Sequence, residues 1–482
     1  MNYGMIFFIL GWVLNVQAAF MLLPCLVALI YGEPCGQWFL VSMGLCLLFG
    51  IPMVLSRPSN PVFYTAEGFV AVALSWILLS VTGALPFLWS GSIESPVDAL
   101  FEMVSGFTTT GASILTDVES LPKCMLFWRS FSHWIGGMGV LVFLLCLLPM
   151  TGGGFHMNLL KTESPGPSVS RLLPRVQNTA KALYLIYIGL TVLQLVLLLA
   201  GRMPLFDALA ITFGTAGTGG FGVRNSSMTY YSPYIRNVVT VFMILFGINF
   251  NFYFFLLMGK FRRAFQSEEV RVYLAFILAS IAIITVSITP MYGGIERAFH
   301  HAAFQVASII TTTGYVSTNF DDWPEIPRTV LLVLMFVGSC AGSTGGGIKI
   351  SRVLILIKSV YCEIMQFLHP QIVRKIRIDG KPVDSETVRS IYVFMAAYLL
   401  VFVVSLLLIS ADGFDLVTNF TAVAAAFNDV GLDLGLGIMG PTGNFSSFGD
   451  FSKVVLIFDM LASRLEIFPM LILFSRETWR RF

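Results

Sequence analysis

Ten long apolar segments, separated by short polar connections, constrain this chain more than any other feature. A helix needs about 20 consecutive apolar residues to cross a bilayer. Only 12% of the 482 residues are charged, against roughly 25% in soluble domains. The sequence therefore predicts an all-α polytopic membrane protein, with spans at 5–30, 37–55, 68–89, 125–150, 182–200, 233–258, 270–290, 329–360, 388–409 and 453–474.

The charged residues of the connections indicate which side each connection lies on. Lys and Arg concentrate in cytoplasmic connections of membrane proteins. With ten spans, one side receives Lys161, Arg171, Arg175, Lys181, Lys260, Arg262, Arg263, Arg271, Arg374, Lys375, Arg377, Lys381, Arg389, Arg476, Arg480 and Arg481. The other side receives Asp117, Glu119, Asp321, Asp322 and Asp450. This pattern predicts that both termini are cytoplasmic. We also expect the first segment to be a retained span, since no basic residue precedes it and no small-residue cleavage site follows.

Composition excludes several other classes of function. The net charge of +2 is too small to indicate a nucleic-acid partner. The seven cysteines contain no CxxC pair, so neither a zinc site nor a redox motif of that kind is indicated. No organic cofactor is expected.

An internal repeat organises most of the chain. Residues 98–111 read DALFEMVSGFTTTG, and residues 301–314 read HAAFQVASIITTTG in the same register. Two weaker copies end at Thr218-Gly219-Gly220 and at Asp429-Val430-Gly431. The four glycines, Gly111, Gly220, Gly314 and Gly431, are 109, 94 and 117 residues apart.

This repeat predicts four tandem helix–pore loop–helix units around a central pore, preceded by a two-helix hairpin. We place the hairpin at 1–60 and the four pore repeats at 61–155, 156–262, 263–375 and 376–482. The third repeat contains a glycine-rich stretch that we treat separately below.

The residue types of the loops suit a dehydrated cation. Backbone carbonyls can replace hydration water in an extended loop, and glycine adopts backbone angles closed to other residues. A short helix before the loop directs its partly negative C-terminal end toward the ion. A single TTTG sequence would indicate an ordinary turn between helices, but two matching copies and two weaker ones at equivalent places favour ion-binding loops.

Five motifs together resemble a known family. They are 108–111, 128–139 (WRSFSHWIGGMG), 311–314, 342–349 (GSTGGGIK) and 464–468 (RLEIF). The chain resembles, over essentially its whole length, the bacterial Trk-type potassium uptake subunits of the TrkH/TrkG/KtrB superfamily. The resemblance implies K⁺ as the transported ion, a location in the bacterial inner membrane, a homodimer and a cytoplasmic nucleotide-binding regulatory subunit. It leaves open whether the protein is an ion channel or a symporter.

Carried over residue by residue, the resemblance implies a selectivity filter with one strand from each loop. The residues expected to bind the ion are Thr109, Thr110, Gly111, Thr218, Gly219, Gly220, Thr312, Thr313, Gly314, Asp429, Val430 and Gly431. Asp429 and Asp433 depart from the neutral residues expected there. They therefore keep Na⁺ conduction or Na⁺-coupled transport open as an alternative.

A second set of residues is expected to gate the pathway. The glycine-rich stretch comprises Gly342, Ser343, Thr344, Gly345, Gly346 and Gly347, followed by Lys349. Three consecutive glycines in a helix interior would cost about 1 kcal/mol each against alanine, so we expect a flexible gate loop, with a packing kink as the alternative. Arg464 is expected to face the pathway opposite this loop. Its alternative is a salt bridge with Asp459 or Glu466.

An intramembrane enzyme is the competing class of function. It would need a nucleophile with a base, or a metal triad, at membrane depth. The five histidines, His133, His156, His300, His301 and His369, are dispersed along the chain, and a metal site at the adjacent pair His300–His301 is not favoured. We therefore predict a transporter that is not an enzyme and has no nucleic-acid partner, its remaining contacts being with membrane lipids.

Overall fold

The computed structural model describes residues 1–56, 64–139, 176–369, 375–431 and 444–479. Within these ranges, six helices are long and apolar enough to cross a membrane: Tyr3–Tyr31, Gly36–Leu55, Ala66–Trp89, Ala180–Ala200, Glu268–Tyr292 and Ser385–Asp412. A seventh span results if the bent pair Pro233–Phe246 and Phe250–Leu257 is counted as one. The prediction of an all-helical polytopic membrane protein is confirmed.

The chain begins with a tightly packed helical hairpin. Helix α1 (Tyr3–Tyr31) ends at Gly32 in the left-handed conformation, and α2 (Gly36–Leu55) runs back along it. Gly11 and Gly50 lie where the two helices cross, and a Cβ at Gly11 would sit 2.9 Å from the carbonyl oxygen of Gly50. Small residues at such a crossing allow close backbone approach within a membrane.

Each repeat contains an outer helix, a short pore helix and an inner helix. In the first repeat these are α3 (Thr65–Trp89), α4 (Pro96–Thr108) and α5 (Lys123–Met138). In the second they are α6 (Val176–Ala200), α7 (Leu205–Gly217) and α8 (Pro233–Phe246), extended by α9 (Phe250–Leu257). The short helix α10 (Phe261–Gln266) leads to the third repeat, so the predicted boundary at 262/263 falls inside a connecting helix.

The third and fourth repeats follow the same order. The third has α11 (Glu268–Tyr292), α12 (Ile295–Ile310), α13 (Glu325–Val337) and α14 (Ile350–Leu368). A small antiparallel hairpin, β1 (Arg377–Ile378) and β2 (Lys381–Pro382), precedes the fourth. The fourth has α15 (Ser385–Ile409), α16 (Leu416–Phe427), α17 (Asp450–Arg464), α18 (Phe468–Leu473) and α19 (Arg476–Trp479). Short 3₁₀ turns lie at Ser227–Tyr230, Ser410–Asp412 and Phe445–Ser447.

The pore helices are short because capping residues and the loops bound them. They contain 13, 13, 16 and 12 residues, fewer than the roughly 20 needed to span a bilayer. Ser95 caps α4 by accepting from the Asp98 N–H, and Asp415 caps α16 by accepting from Val417 and Thr418. Most pore-helix side chains are buried, so these helices form the centre of the fold.

The inner helices are broken, which corrects the prediction of continuous spans at 233–258 and 453–474, whereas the glycine-rich stretch was expected to interrupt 329–360. The segment 233–258 bends by 92° at residues 247–249. The segment 329–360 is interrupted from Gly338 to Lys349, and 453–474 is interrupted after Arg464. At the first break Asn249 caps the following helix by accepting from the N–H of Asn251. At the second, Gly338, Gly342 and Gly347 have positive φ, which glycine adopts most readily. At the third, Pro469 at the start of α18 lacks the N–H that a continuous helix would use. Beyond Met138 and Gly139, the predicted span 125–150 lies outside the described residues.

Candidate ion-conduction site

The four loops that follow the pore helices share one backbone conformation. We name them loop 1 (109–111), loop 2 (218–220), loop 3 (312–314) and loop 4 (429–431). The first residue of each is left-handed, with φ of 62°, 57°, 56° and 53° at Thr109, Thr218, Thr312 and Asp429. The glycine two residues later has φ of 83°, 75°, 78° and 72° at Gly111, Gly220, Gly314 and Gly431. The divergent loop 4 thus has the same backbone path as the others.

The last turn of each pore helix holds the middle residue of its loop. The middle N–H donates to a carbonyl five residues earlier, at 3.0, 2.8, 2.8 and 2.9 Å in loops 1 to 4. The donor–acceptor pairs are Thr110 to Ser105, Gly219 to Gly214, Thr313 to Ser308 and Val430 to Ala425. Because these N–H groups point back into the helix ends, the loop carbonyls are left to other partners.

Neighbouring loops approach so closely that glycine is required. A Cβ at Gly111 would overlap the carbonyl oxygen of Gly219, and a Cβ at Gly220 would overlap that of Thr313. A Cβ at Gly431 would lie 2.5 Å from the carbonyl carbon of Gly111. Loop 1 therefore contacts loop 2, loop 2 contacts loop 3 and loop 4 contacts loop 1. These contacts place the loops side by side in the order 4, 1, 2, 3.

A buried carboxylate joins loops 1 and 4. The side chain of Asp429 is 1% exposed. Its two oxygens accept hydrogen bonds from the hydroxyls of Thr110, at 2.8 Å, and Ser463, at 3.0 Å. Asp433, the other acidic residue singled out in this loop, lies outside the described residues.

A buried ion pair that sequence reasoning missed supports loops 1 and 2 from behind. Glu102 on α4 pairs with Arg129 on α5, and both side chains are buried. Glu102 also accepts from the N–H of Ile114 at 3.0 Å, just beyond loop 1. Arg129 donates to the carbonyl of Gly222 at 3.1 Å and covers the ring of Phe221. The sequence did contain a sign of this ion pair, because Glu102 and Arg129 each lie inside an otherwise apolar stretch, where a charged residue usually has a partner.

His133 lies directly behind loop 2. Its ring stacks on Phe221 with centroids 4.2 Å apart, and a Cβ at Gly219 would come within 2.5 Å of that ring. Neither ring nitrogen has a hydrogen-bond partner among the described residues. His133 therefore acts here as a packing side chain that fixes the position of Gly219.

The glycine-rich loop (342–347) lies directly against loops 3 and 4. The N–H of Gly346 donates to the hydroxyl of Thr312 at 2.7 Å. A Cβ at Gly346 would lie 2.6 Å from the carbonyl oxygen of Asn428, and a Cβ at Gly345 would lie 2.8 Å from that of Thr311. The glycines thus allow this loop to press against the ends of two pore helices.

Anchors from the second and third repeats fix the base of the glycine-rich loop. The N–H of Phe250 donates to the carbonyl of Gly342 at 3.0 Å. The carboxylate of Glu269, at the start of α11, accepts from the N–H of Ala341 at 2.6 Å. Sequence reasoning did not identify Glu269, although an acidic residue at the edge of an apolar segment was visible.

Arg464 and Lys349 bind carbonyls of the same loop. Arg464 donates to the carbonyl of Thr344 at 3.1 Å, to the hydroxyl of Thr109 at 3.4 Å and to the carbonyls of Gly136 and Gly137. Lys349 donates to the carbonyl of Gly345. Arg464 therefore joins the glycine-rich loop to the end of α5.

The two acids considered as alternative partners of Arg464 have other contacts. Asp459 accepts from the hydroxyl of Ser405 at 2.6 Å, and Glu466 pairs with Arg352. A cleft beside the glycine-rich loop is lined by Gly346, Asp429, Ser463 and Glu466 among other residues.

The adjacent histidines of α12 are not arranged around a common point. His300 is 3.1 Å from the side-chain oxygen of Asn237, and the ring of His301 stacks on Tyr292.

Comparisons with known proteins give a consistent result. A family model described as TrkH, a cation transport protein, matches residues 37–480. The Trk system potassium uptake protein TrkH of Salmonella typhimurium is 37% identical, covering 100% of both chains. The Trk system potassium uptake protein TrkG of Escherichia coli K12 is 34% identical, over 98% of this chain and 97% of the other. The crystal structure of the potassium transporter TrkH from Vibrio parahaemolyticus has a TM-score of 0.88 and 35% identity, with 100% of both chains covered.

Proposed function

Because this chain belongs to the TrkH family of cation transport proteins, we propose that it carries K⁺ across a bacterial inner membrane. The curated relatives are named as potassium uptake proteins. The prediction that the chain is a transporter and not an enzyme is confirmed by this membership. Flux measurements with and without an imposed ion gradient distinguish a channel from a symporter.

The proposed pathway passes through the centre of loops 1 to 4. The observation that carries this proposal is the repeated pair of left-handed residues in all four loops. Such a path leaves carbonyls free of the helix ladder, and carbonyl rings can replace the hydration shell of K⁺. The ion-binding residues proposed from the sequence are the members of these loops.

The glycine-rich loop is proposed to close one end of this pathway. Its contact with Thr312 and its close approach to Asn428 place it against two of the four loops. Opening would break the hydrogen bonds that Arg464 and Lys349 make to its carbonyls.

Na⁺ conduction is the second candidate, and the carboxylate of Asp429 favours it. A carboxylate has a stronger field than a backbone carbonyl, and field strength is one proposed determinant of K⁺/Na⁺ selectivity. Hydrogen bonds from Thr110 and Ser463 already occupy both of its oxygens. We therefore favour K⁺ and treat Asp429 as a link between loops.

Flux measurements in liposomes distinguish the two ions. We expect purified protein to support K⁺ and Rb⁺ flux with Na⁺ flux at least tenfold lower. The variant Asp429→Asn should keep that preference. Equal Na⁺ and K⁺ flux in the wild type, corrected by Asp429→Asn, would instead support the second candidate. Absence of any cation flux would reject the proposed pathway.

We further propose a homodimer with a cytoplasmic nucleotide-binding regulatory subunit. Two basic connections meet on one surface, because the N–H of Glu268 donates to Asp379 at 2.6 Å and Lys358 pairs with Glu268 at 2.5 Å. The exposed basic residues around this surface are Lys260, Arg262, Arg263, Arg271, Arg377, Lys381 and Arg389. The remaining basic residues predicted on this side, apart from Lys181, Lys375 and Arg476, lie outside the described residues.

Charge reversal tests this surface. The double variant Arg262→Glu/Arg263→Glu should bind less regulatory protein in a detergent pull-down, with unchanged ion preference. Anionic lipids also bind juxtamembrane basic residues, so the pull-down is repeated with added anionic lipid. Loss of binding on adding lipid to the wild type would assign the surface to lipid. Chemical cross-linking in native membranes, with a monomer as the contrary result, tests the dimer.

A further inference from the structure

Two cysteines from different parts of the chain meet at one end of the molecule. Cys35 lies in the turn between α1 and α2, and Cys124 is the second residue of α5. Their Sγ atoms are 3.0 Å apart although 89 residues separate them along the chain. Cys124 is fully buried and Cys35 is half-buried. The contact joins the N-terminal hairpin to the inner helix of the first repeat.

Glu33 holds the two segments in this arrangement. Its carboxylate accepts from the backbone N–H groups of Lys123 and Cys124 at 2.6 and 2.9 Å, and so satisfies free donors at the start of α5. The thiol of Cys35 lies 3.9 Å from the same carboxylate. The two sulfurs are therefore brought together by a built contact, with an acceptor for a thiol proton beside them.

The sulfur–sulfur distance distinguishes two uses of such a pair. Two thiolates bound to one tetrahedral zinc ion, each at about 2.3 Å, are separated by about 3.8 Å. The two thiols here are closer than that, at 3.0 Å. A covalent bond between them requires only a further approach of about 1 Å, to about 2.05 Å. Glu33, Cys35 and Cys124 do form a group with metal-ligand chemistry, but the spacing favours bond formation.

The position of the pair indicates an oxidising side. The turn holding Cys35 packs beside the start of the second pore helix, since the rings of Tyr31 and Phe206 lie 5.8 Å apart. Cys124 shares its connection with Asp117 and Glu119, on the side opposite the basic connections. With the predicted orientation, this side faces the periplasm, where disulfides form and persist.

We propose that Cys35 and Cys124 form a disulfide bond that tethers the N-terminal hairpin to the first pore repeat. The oxidant is a protein disulfide of the periplasmic exchange type. The thiolate of Cys35 attacks one oxidant sulfur, forming a mixed disulfide and releasing the other as a thiol. The thiolate of Cys124 then attacks Sγ of Cys35, releasing the second oxidant thiol. Two thiols lose two electrons and two protons, which the oxidant gains.

The order of these steps follows from exposure. Cys35 is accessible to a large oxidant, whereas Cys124 is buried and acts second. Burial raises the pKa of the Cys35 thiol, and the neighbouring Glu33 charge acts in the same direction. A thiol of raised pKa is a poor leaving group, so reductive attack that releases Cys35 is slow and the bond is persistent once formed.

Peptide mapping tests the bond directly. Membranes are treated with N-ethylmaleimide under denaturing conditions, without reductant, and the full-length protein is digested with chymotrypsin. Residues 32–38, between cleavage sites at Tyr31 and Trp38, contain Cys35 as their sole cysteine. We expect this peptide linked to the one containing Cys124, two hydrogens lighter than the sum. Cys362, half-buried on α14, is the control and should be alkylated.

Two further measurements keep the proposal open to refutation. The variant Cys35→Ser should release Cys124 for alkylation, whereas Cys25→Ser should leave the linked peptides intact. A membrane-impermeant reductant should lower the unfolding temperature of the wild type and not that of Cys35→Ser. Alkylation of both cysteines in the wild type without reductant would overturn the proposal. So would a stoichiometric metal ion whose chelation frees both thiols.

Discussion

Replacing Gly220 with alanine adds one atom, the Cβ, at the contact between loops 2 and 3, and so tests how closely these loops must pack. A Cβ at Gly220 would overlap the carbonyl oxygen of Thr313 and lie 2.9 Å from its carbon, whereas ordinary contact begins at 3.4 Å. Loops 2 and 3 must therefore separate by at least about 0.5 Å. Metal–ligand distances are held within roughly ±0.2 Å, so the carbonyl of Thr313 would leave the position proposed for ion coordination.

The backbone adds to this effect. Gly220 has φ of 75°, and a left-handed conformation costs an L-residue roughly 1–2 kcal/mol. Each 1.4 kcal/mol corresponds to about tenfold in an equilibrium constant. If loop 2 relaxes to relieve this strain, the preference for K⁺ over Na⁺ should fall about tenfold or more.

The assay is paired K⁺ and Na⁺ flux in liposomes, with Gly222→Ala as the matched control. Gly222 lies two residues further along the same segment, and a Cβ there would meet its nearest atom at 3.6 Å, an ordinary contact. The control should keep the wild-type preference. Wild-type K⁺/Na⁺ preference in folded Gly220→Ala protein would refute the assignment of these carbonyls to the ion pathway.

Three other perturbations follow from the structure. Gly346→Ala should raise cation flux without changing ion preference, because its Cβ would lie 2.6 Å from the carbonyl oxygen of Asn428 and push the glycine-rich loop away. Gly44→Ala is the control, since a Cβ there would meet open space. Unchanged flux in Gly346→Ala would indicate that this loop is a packing kink and not a gate. Glu102→Ala should destabilise the protein by about 3–5 kcal/mol, because it leaves Arg129 buried and unpaired. The double variant Glu102→Leu/Arg129→Met should recover part of this loss of stability, as measured by thermal unfolding in detergent. A double variant that loses as much stability as the two single variants added together would contradict the pairing. Burial raises the pKa of Asp321 from 3.8 to about 6. The folded protein therefore binds this proton more tightly than the unfolded chain, and its stability falls as pH rises from about 3.8 through 6. Asp321→Asn should remove this part of the pH dependence of unfolding, and an unchanged pH profile in that variant would contradict the raised pKa.

The fold class was accessible from the sequence because lipid imposes simple rules. Long apolar runs and the spacing of four glycines predicted an all-helical membrane protein, and family membership agrees. Within loop 4, only Gly431 matches the residue type found at the same position of loop 1. The structure nevertheless gives Asp429 the same left-handed conformation as Thr109. The roles of the loop residues in binding an ion stay predictions.

The glycines at 342–347 predicted the break in the third inner helix, but the breaks near 247 and 465 were not predicted, because apolar composition continues through them. The bend after Phe246 depends on Asn249, which caps the next helix by accepting from the N–H of Asn251 at 2.9 Å. Such caps are short-range signals hidden inside an apolar run. The pairing of Glu102 with Arg129 was equally hidden, since it depends on how α4 and α5 pack and not on spacing along the chain.

The single carboxylate of loop 4 has a consequence for symmetry. In a channel assembled from four identical subunits, any substitution appears in every quadrant, and four buried carboxylates around one axis would repel one another. Here the quadrants are encoded separately, so one wall holds Asp429 where the other three hold threonine. Repetition within one chain thus lets each quadrant of the proposed pathway differ from the others. The close contacts between loops at Gly111, Gly220 and Gly431 limit these differences. Only substitutions that leave the backbone path unchanged are compatible with them.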